Sequence, residues 1–368
     1  MKLKRFIVLL LSLTLSFTYV FCTACTSSPK ELCVQLNNRY KNGEVARCIW
    51  DMYLSGNKIY LGGGDYNLNS GPTDICAYDL KTKALVVTGR IQDEAVLTFK
   101  EIDGKLYVPG TDPRSNSSKG DYYTLSEDGW IQHKVLPDTI HNFDLIKFEN
   151  KLYAGIGGNY GFDPVVVSED GGETFDFIPL YKNGEELPPL DNPNFSRCHD
   201  FYTLNGKLYG LFCFYIDKTY NYEIFCLEDG KMQYVSSANT LSFSMRPGQR
   251  VISAKEEYNG KVYVITNSLY SSENGSDFAK IALPNNEVVS DFIIEKEVMY
   301  VLSFNPLTDE TFDINIYKYN LKDGEIKLFK SFNYEVPALS FIKIKKSFYI
   351  GMGNSRAQHQ KNGTLIKL

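Results

Sequence analysis

Histidine is scarce in this chain, four among 368 residues, and His133, His141, His199 and His359 have no cysteine or second histidine at metal-ligand spacing. That removes the sequence support for a zinc site. A basic excess is missing as well. Lys and Arg number 39 against 44 Asp and Glu, a formal charge of −5, which makes nucleic acid an unfavourable partner. Beyond residue 21 no apolar run approaches the ~20 residues that cross a bilayer as a helix. Asp or Asn follows the Tyr-bearing strand in several repeats, at Asp65, Asp112, Asn159 and Asn354, but such residues are mainly turn formers. No metal and no cofactor is expected.

The first residues are of another kind. Lys2, Lys4 and Arg5 precede an apolar run from Phe6 to Phe21, the layout of a cleaved signal peptide. It closes on CTAC, residues 22–25, which resembles the lipobox of bacterial lipoproteins, with Cys22 where leucine is usual. The resemblance implies a signal peptide over 1–24, lipidation of Cys25 and a tether over 25–31, followed by one domain over 32–368. Ordinary cleavage near Ala24, giving a secreted protein, is the alternative. Either way the domain is expected outside the cytoplasm, meeting a membrane through its lipid only. Removing the three basic residues takes the charge to about −8. Sequons at Asn116, Asn194, Asn274 and Asn362 matter only in a host that glycosylates secreted proteins.

Of eight cysteines, six remain after Cys22 and Cys25 are set aside, and six allow 15 pairings. Cys213 and Cys226 lie on either side of the turn near Thr219 and Tyr220, and Cys33 and Cys48 flank the segment that enters the first repeat. These are the candidate disulfides. Free, buried thiols are the alternative.

A hairpin built on Lys-aliphatic-Tyr, or a close variant, recurs seven times, around Tyr60, Tyr107, Tyr153, Tyr209, Tyr263, Tyr300 and Tyr349. Its spacing of 37 to 56 residues is the size of a four-stranded propeller blade. In the third repeat DLIKFENK, LYAGIGG, DPVVVSED and TFDFIPL read as four strands, each rich in Val, Ile, Phe and Tyr and bounded by turn residues. The pattern predicts an all-β, seven-bladed β-propeller of four-stranded antiparallel blades. The last repeat supplies only three strands, LSFIKIK, SFYIGMG and GTLIKL, so ELCVQLN over 31–37 is expected to complete that blade and close the ring. A disordered N-terminal tether and a three-stranded last blade are the alternative.

Link lengths sort the two ends of the blades. The first and third links are tight turns such as Asp103-Gly104, Asn205-Gly206 and Asn259-Gly260. The second links and the blade connections, among them 181–196 and 236–250, are long and rich in Gly, Asn and aromatics. They emerge together on one face, where function is expected.

SEDGGETF, residues 168–175, fills every defining position of the Asp-box with Ser168, Asp170, Gly172, Thr174 and Phe175; LSEDGW and SSENGSDF are shorter copies. The chain resembles Asp-box propellers of the sialidase-like, non-catalytic type, and the paired glycines of IYLGGG and GIGG are similar to kelch blades. The resemblance implies that these boxes are structural staples that do not touch ligand. The Arg-Ile-Pro signature of sialidases is missing.

Thirteen residues before each repeat tyrosine, where first strands enter the channel, stand Arg47, Glu94, Ile140, Ser196, Arg250, Glu287 and Val336, with His141 and Arg197 one residue on. Arginines there can grip a carboxylate or sulfate, and Glu94 or Glu287 can act as a base. Tyr160 and Phe162, with Tyr66, Tyr215, Tyr220 and Tyr222, lie in or beside the long loops, where exposed aromatics suit sugar stacking or protein contact. The expectation is a monomeric, lipid-anchored module that binds a protein or carbohydrate through its long-loop face. A glycoside hydrolase or lyase acting on acidic glycans at the channel mouth, and a purely structural envelope protein, are the alternatives.

Overall fold

The computed structural model describes residues 28–34, 48–64, 71–114, 119–136, 139–157, 163–243, 251–308, 311–354 and 359–368, and all regular structure among them is β. The strands form for the reasons the sequence suggests. Asp103, Asn205 and Asn259 take φ of 51°, 51° and 50° and are followed by glycines at 75°, 73° and 72°, the left-handed pair that a two-residue hairpin of matching twist requires. Second strands such as Lys151–Gly157 are buried on both faces beyond their first residue, as in sheets covered on both sides by neighbours. Outer strands such as Ala84–Ile91 are half-exposed.

The sheet count corrects the sequence reading. Five blades stand as separate four-stranded sheets, not seven. They comprise the strands of residues 51–91, 100–134, 254–281 and 288–334, and the last three strands of the chain joined by Lys30–Val34. The strands of the third and fourth repeats run together in one ten-stranded sheet. Two contacts cause the merger. Gly157 pairs with Arg197, an approach that a side chain would obstruct, since a Cβ on Gly157 would lie 2.5 Å from Arg197 Cγ. The excursion after the third repeat also returns as Leu180–Lys182, parallel to Lys231–Ser237.

The N-terminal strand lies antiparallel to Thr364–Lys367, with Lys30 opposite Lys367 and Val34 opposite Thr364. Glu31 fixes it, accepting hydrogen bonds from Tyr334 Oη at 2.8 Å and Lys361 Nζ at 2.6 Å. Residues 35–37 of the expected strand lie outside the described residues.

Neighbouring repeats are joined by a repeated aspartate that the sequence reading overlooked. Asp51, Asp144, Asp200 and Asp291 accept the amides of Phe99, Phe201, Ile252 and Phe341, each within or just before the first strand of the next repeat, at 2.8, 2.9, 3.1 and 2.9 Å. Immediately before Asp144, Asp200 and Asp291 the strand carries a β-bulge, bending it so that the carboxylate turns toward the following repeat. Ser340 Oγ closes the circle by donating to the Ile49 carbonyl at 2.8 Å. Between sheets the repeat tyrosines fill the core. Tyr60, for example, meets Phe99 and Trp130 edge-on, with ring centroids 6.3 and 6.2 Å away.

The turn at 168–175 is tied by its own side chains: Ser168 Oγ accepts the Gly172 amide at 2.7 Å, and Asp170 accepts the amides of Glu173 and Thr174 and the Thr174 hydroxyl. These bonds, the Thr174 hydroxyl foremost, hold the Asp170 carboxyl below its usual range. Tyr122 of the preceding sheet donates to the Gly172 carbonyl at 3.3 Å. Residues 272–277 repeat the arrangement, with Tyr202 donating to the Gly275 carbonyl at 2.6 Å.

The candidate disulfides are not formed; among the described residues none of Cys33, Cys48, Cys76, Cys198, Cys213 and Cys226 is joined in a disulfide. Cys213 stands opposite Tyr222 and Cys226 opposite Tyr209. That register separates the two by four positions, about 13 Å at the rise of a strand, beyond disulfide reach. Cys33 pairs with Leu365 on the outermost strands of its sheet, whereas Cys48 packs beside Gly353.

Candidate functional site

The short pairing of Asp93–Ala95 with Thr111–Pro113 places Glu94 and Asp112 at the long-loop end of the channel. Arg114 follows, with Nη1 3.2 Å from Glu94 Oε1. Asp112 Oδ1 lies 3.4 Å from His141 Nδ1. Burial, and then the charges of Arg197 and His199, push the His141 imidazole down to about 3; burial and Arg197 take His199 to about 3 as well. Both rings are therefore neutral near pH 7. The Asp112–His141 contact is thus a carboxylate against a neutral ring rather than an ion pair, consistent with His141 Nδ1 having no hydrogen-bond partner.

Arg197 is held in an unusual way. Its guanidinium carbon sits 4.4 Å from the Phe195 ring centroid and 5.7 Å from that of Phe143, and Nε is buried without a hydrogen-bond acceptor. Aromatic faces attract the cation but leave its in-plane N–H groups unused. Gly157 provides the space, since a Cβ there would also lie 3.0 Å from Phe143. Phe143 in turn packs between His141 and His199, with centroids 5.0 and 4.5 Å away. From Phe195 a ledge of rings runs outward through Tyr215 at 4.9 Å to Tyr220 at 4.8 Å, and Tyr220 is 46% exposed.

Of the residues expected at the mouth, Glu94, His141 and Arg197 come together, linked by Asp112 and Arg114, whose roles the sequence reading missed. Glu287 does not join them. It is buried in its own sheet and accepts Tyr317 Oη at 2.5 Å and Asn315 Nδ2 at 3.3 Å, which makes it a structural anchor. Arg47, Arg250, Tyr160 and Phe162 lie outside the described residues, as do Cys25, Asp65, Tyr66 and Asn159. Asn354 is engaged with Asn362, whose Oδ1 accepts its amide at 2.8 Å.

A cavity of about 670 Å³ opens at the opposite, short-turn end, between Lys100, Lys147, Phe201, Lys255 and Glu256. Its charges are largely committed. Asp144 receives Lys100 Nζ at 2.7 Å as well as Lys255 Nζ, and Lys255 also reaches Asp200 at 2.9 Å. Among the described residues no cluster of three or more His, Cys, Asp or Glu is arranged to hold a metal ion.

No protein-family model matches the chain. Kelch repeat and BTB domain-containing protein 1 of Ectromelia virus (strain Moscow) is 28% identical over 108 residues, 29% of this chain and 18% of the viral protein. Kelch repeat and BTB domain-containing protein A55 of Vaccinia virus (strain Western Reserve) gives the same figures, so the chain spans less than a fifth of the length of these curated relatives. Among solved structures, the AfRom2 CNH domain shows a TM-score of 0.46 at 11% identity, covering 92% of this chain and 97% of that one. The β-propeller domain of the Trilobed protease from Pyrococcus furiosus shows 0.45 at 12% identity, covering 88% and 93%. The sheets are those of a β-propeller, and the chain has weak kelch-repeat similarity to viral kelch and BTB proteins.

Proposed function

We propose that this chain is an extracytoplasmic protein-binding module, tethered to a bacterial membrane by a lipid on Cys25, that presents its long-loop face to a partner. Its boxes at 168–175 and 271–278 serve, in the manner of Asp-box propellers, as staples between sheets. The observation that carries the reading is Arg197, a cation positioned by two aromatic faces with a buried Nε that has no acceptor among the described residues. A buried donor left unpaired costs about 1–3 kcal/mol, which a stability-only role leaves unexplained. An incoming carbonyl or carboxylate would satisfy it, with Tyr220 and Tyr215 supplying contact area. The glycosidase or lyase alternative is less favoured, because of its two candidate bases Glu287 is buried as the acceptor of Tyr317 and Asn315 and Glu94 is paired with Arg114.

The test is pull-down and glycan-array binding with the intact protein and its Arg197→Ala and Tyr220→Ala variants. Protein capture that both changes abolish, with the fold intact by circular dichroism, supports the reading. Glycan-only binding, turnover of acidic oligosaccharides, or capture indifferent to both changes would refute it.

A further inference from the structure

A second feature lies on the same long-loop side, behind the strands that carry the aromatic ledge. A pocket of about 180 Å³ is walled by Leu187, Pro188, Leu190, Phe214 and Ile216, with Asp163 at its edge. The wall is built by the excursion that follows the third repeat. Leu180 is buried in the core, and Leu187 donates its amide to the Leu180 carbonyl at 2.8 Å, which folds the segment back over the sheet. Pro188 and Pro189 then contribute apolar rings and no N–H groups, so the pocket gains apolar surface without unpaired donors. Its volume suits one aliphatic or aromatic side chain and falls short of the ~300 Å³ typical of small-molecule sites.

The charges beside the pocket do not balance. Lys182 is neutralised by Glu223 at 2.7 Å and lies over the Tyr234 ring at 4.3 Å. Glu186 accepts only a neutral donor there, the Tyr181 hydroxyl at 2.8 Å, and Asp163 meets no cation among the described residues. Burial, and next the charge of Glu186, raise the Asp163 carboxyl to about 6; a paired carboxylate would be lowered instead. Ile216, 37% exposed, continues the apolar surface beyond the pocket.

We infer that this pocket receives one apolar side chain of a partner protein segment whose adjoining residue is lysine or arginine, the apolar group filling the Leu187–Phe214 cavity and the cation meeting Asp163 and Glu186. The inference rests on the binding-module reading for its class of partner, protein, but uses none of the residues that reading depends on.

Two fluorescein-labelled hexapeptides decide it, one with leucine flanked by lysines and one with leucine flanked by glutamates, titrated by anisotropy at pH 7.5 against the full chain. The lysine peptide should bind at least about five-fold more tightly. Asp163→Asn should erase that preference, and Leu190→Arg, which places a cation and bulk in the pocket, should abolish binding. Melting curves confirm that each variant folds. Equal binding of the two peptides, or a preference that survives both substitutions, overturns the inference. If protein capture through Arg197 and Tyr220 persists while the peptides fail, the pocket assignment falls and the binding-module reading stands.

Discussion

Replacing Asp144 with alanine tests whether the channel aspartates hold the ring together. The carboxylate is fully buried and accepts the amides of Leu145 at 3.0 Å and Phe201 at 2.9 Å, together with Lys100 and Lys255. Its removal leaves two amides without an acceptor and two ammonium groups, 18% and 12% exposed, with diminished compensation. Breaking a buried ion pair from one side costs about 3–5 kcal/mol. Some relief comes from water in the adjoining cavity, so the lower part of that range is expected. Asp51 is the internal control, because it makes the same two amide contacts, to Met52 at 2.7 Å and Phe99 at 2.8 Å, with no cation beside it among the described residues. Asp51→Ala should therefore cost only about 1–3 kcal/mol. Urea denaturation measures both, and hydrogen exchange at the Phe201 amide locates the damage. Adding Lys100→Met to the Asp144→Ala variant should recover stability, since it removes a like charge beside Lys255. Equal losses in the two alanine variants, or a double variant that is simply additive, would refute this account of the channel.

Three further outcomes follow from the same contacts. Folding raises the Asp163 carboxyl from 3.8 to about 6, so its contribution to stability is complete below the unfolded value and lost as pH rises through about 6. Asp163→Asn should then match the wild type near pH 3.5 and exceed it above pH 6.5, and parallel urea midpoints across that range would contradict the shift. Gly172→Ala must place a Cβ 2.3 Å from Tyr122 Oη at a φ of +102°, whereas Gly171, at +80°, has open space around it; the expected costs are about 2–4 and about 1 kcal/mol, read by thermal melts. Removing the chain through Val34 strips the partner from Thr364–Lys367, and should lower the melting temperature and cause concentration-dependent association through the exposed edge. An unchanged, monomeric protein would mean that this strand does not close the ring.

What could be read from the sequence was what local chemistry dictates. Tight turns such as Asn205-Gly206 and the alternating burial of strands depend on neighbours in sequence, and the strand composition of 31–37 pointed to the partner that Lys30–Val34 finds. The sheet count was not legible, because the merger of the third and fourth repeats depends on one backbone approach at Gly157 and on the returning Leu180–Lys182 strand. Counting along the chain found a carboxylate at Glu287 but not its direction; Tyr317 turns it into the sheet. The channel aspartates were present as a signal, standing nine residues before Tyr60, Tyr153, Tyr209 and Tyr300. Bulges that re-aim them are invisible until the strands are paired. The disulfide expectation failed because the hairpin turns at Asp217 and Lys218, with Ile216 opposite Thr219, two residues before the expected turn, which carries Cys226 past Cys213.

The two ends of the channel use their charges differently, and that difference favours one face for recognition. At the short-turn end the cavity is large, yet Lys100, Lys255, Asp144 and Asp200 satisfy one another while joining three sheets, so a ligand would have to displace bonds that hold the fold. At the long-loop end, among the described residues, Arg197 has a buried donor without an acceptor and Asp163, at the edge of an apolar pocket, meets no cation. Neither arrangement stabilises the free protein, because an unpaired buried polar group and a desolvated carboxylate both carry a cost. Each becomes favourable only when a partner supplies the missing acceptor or cation. The smaller openings on the loop face are therefore better candidates for recognition than the larger cavity, whose charges already serve the structure.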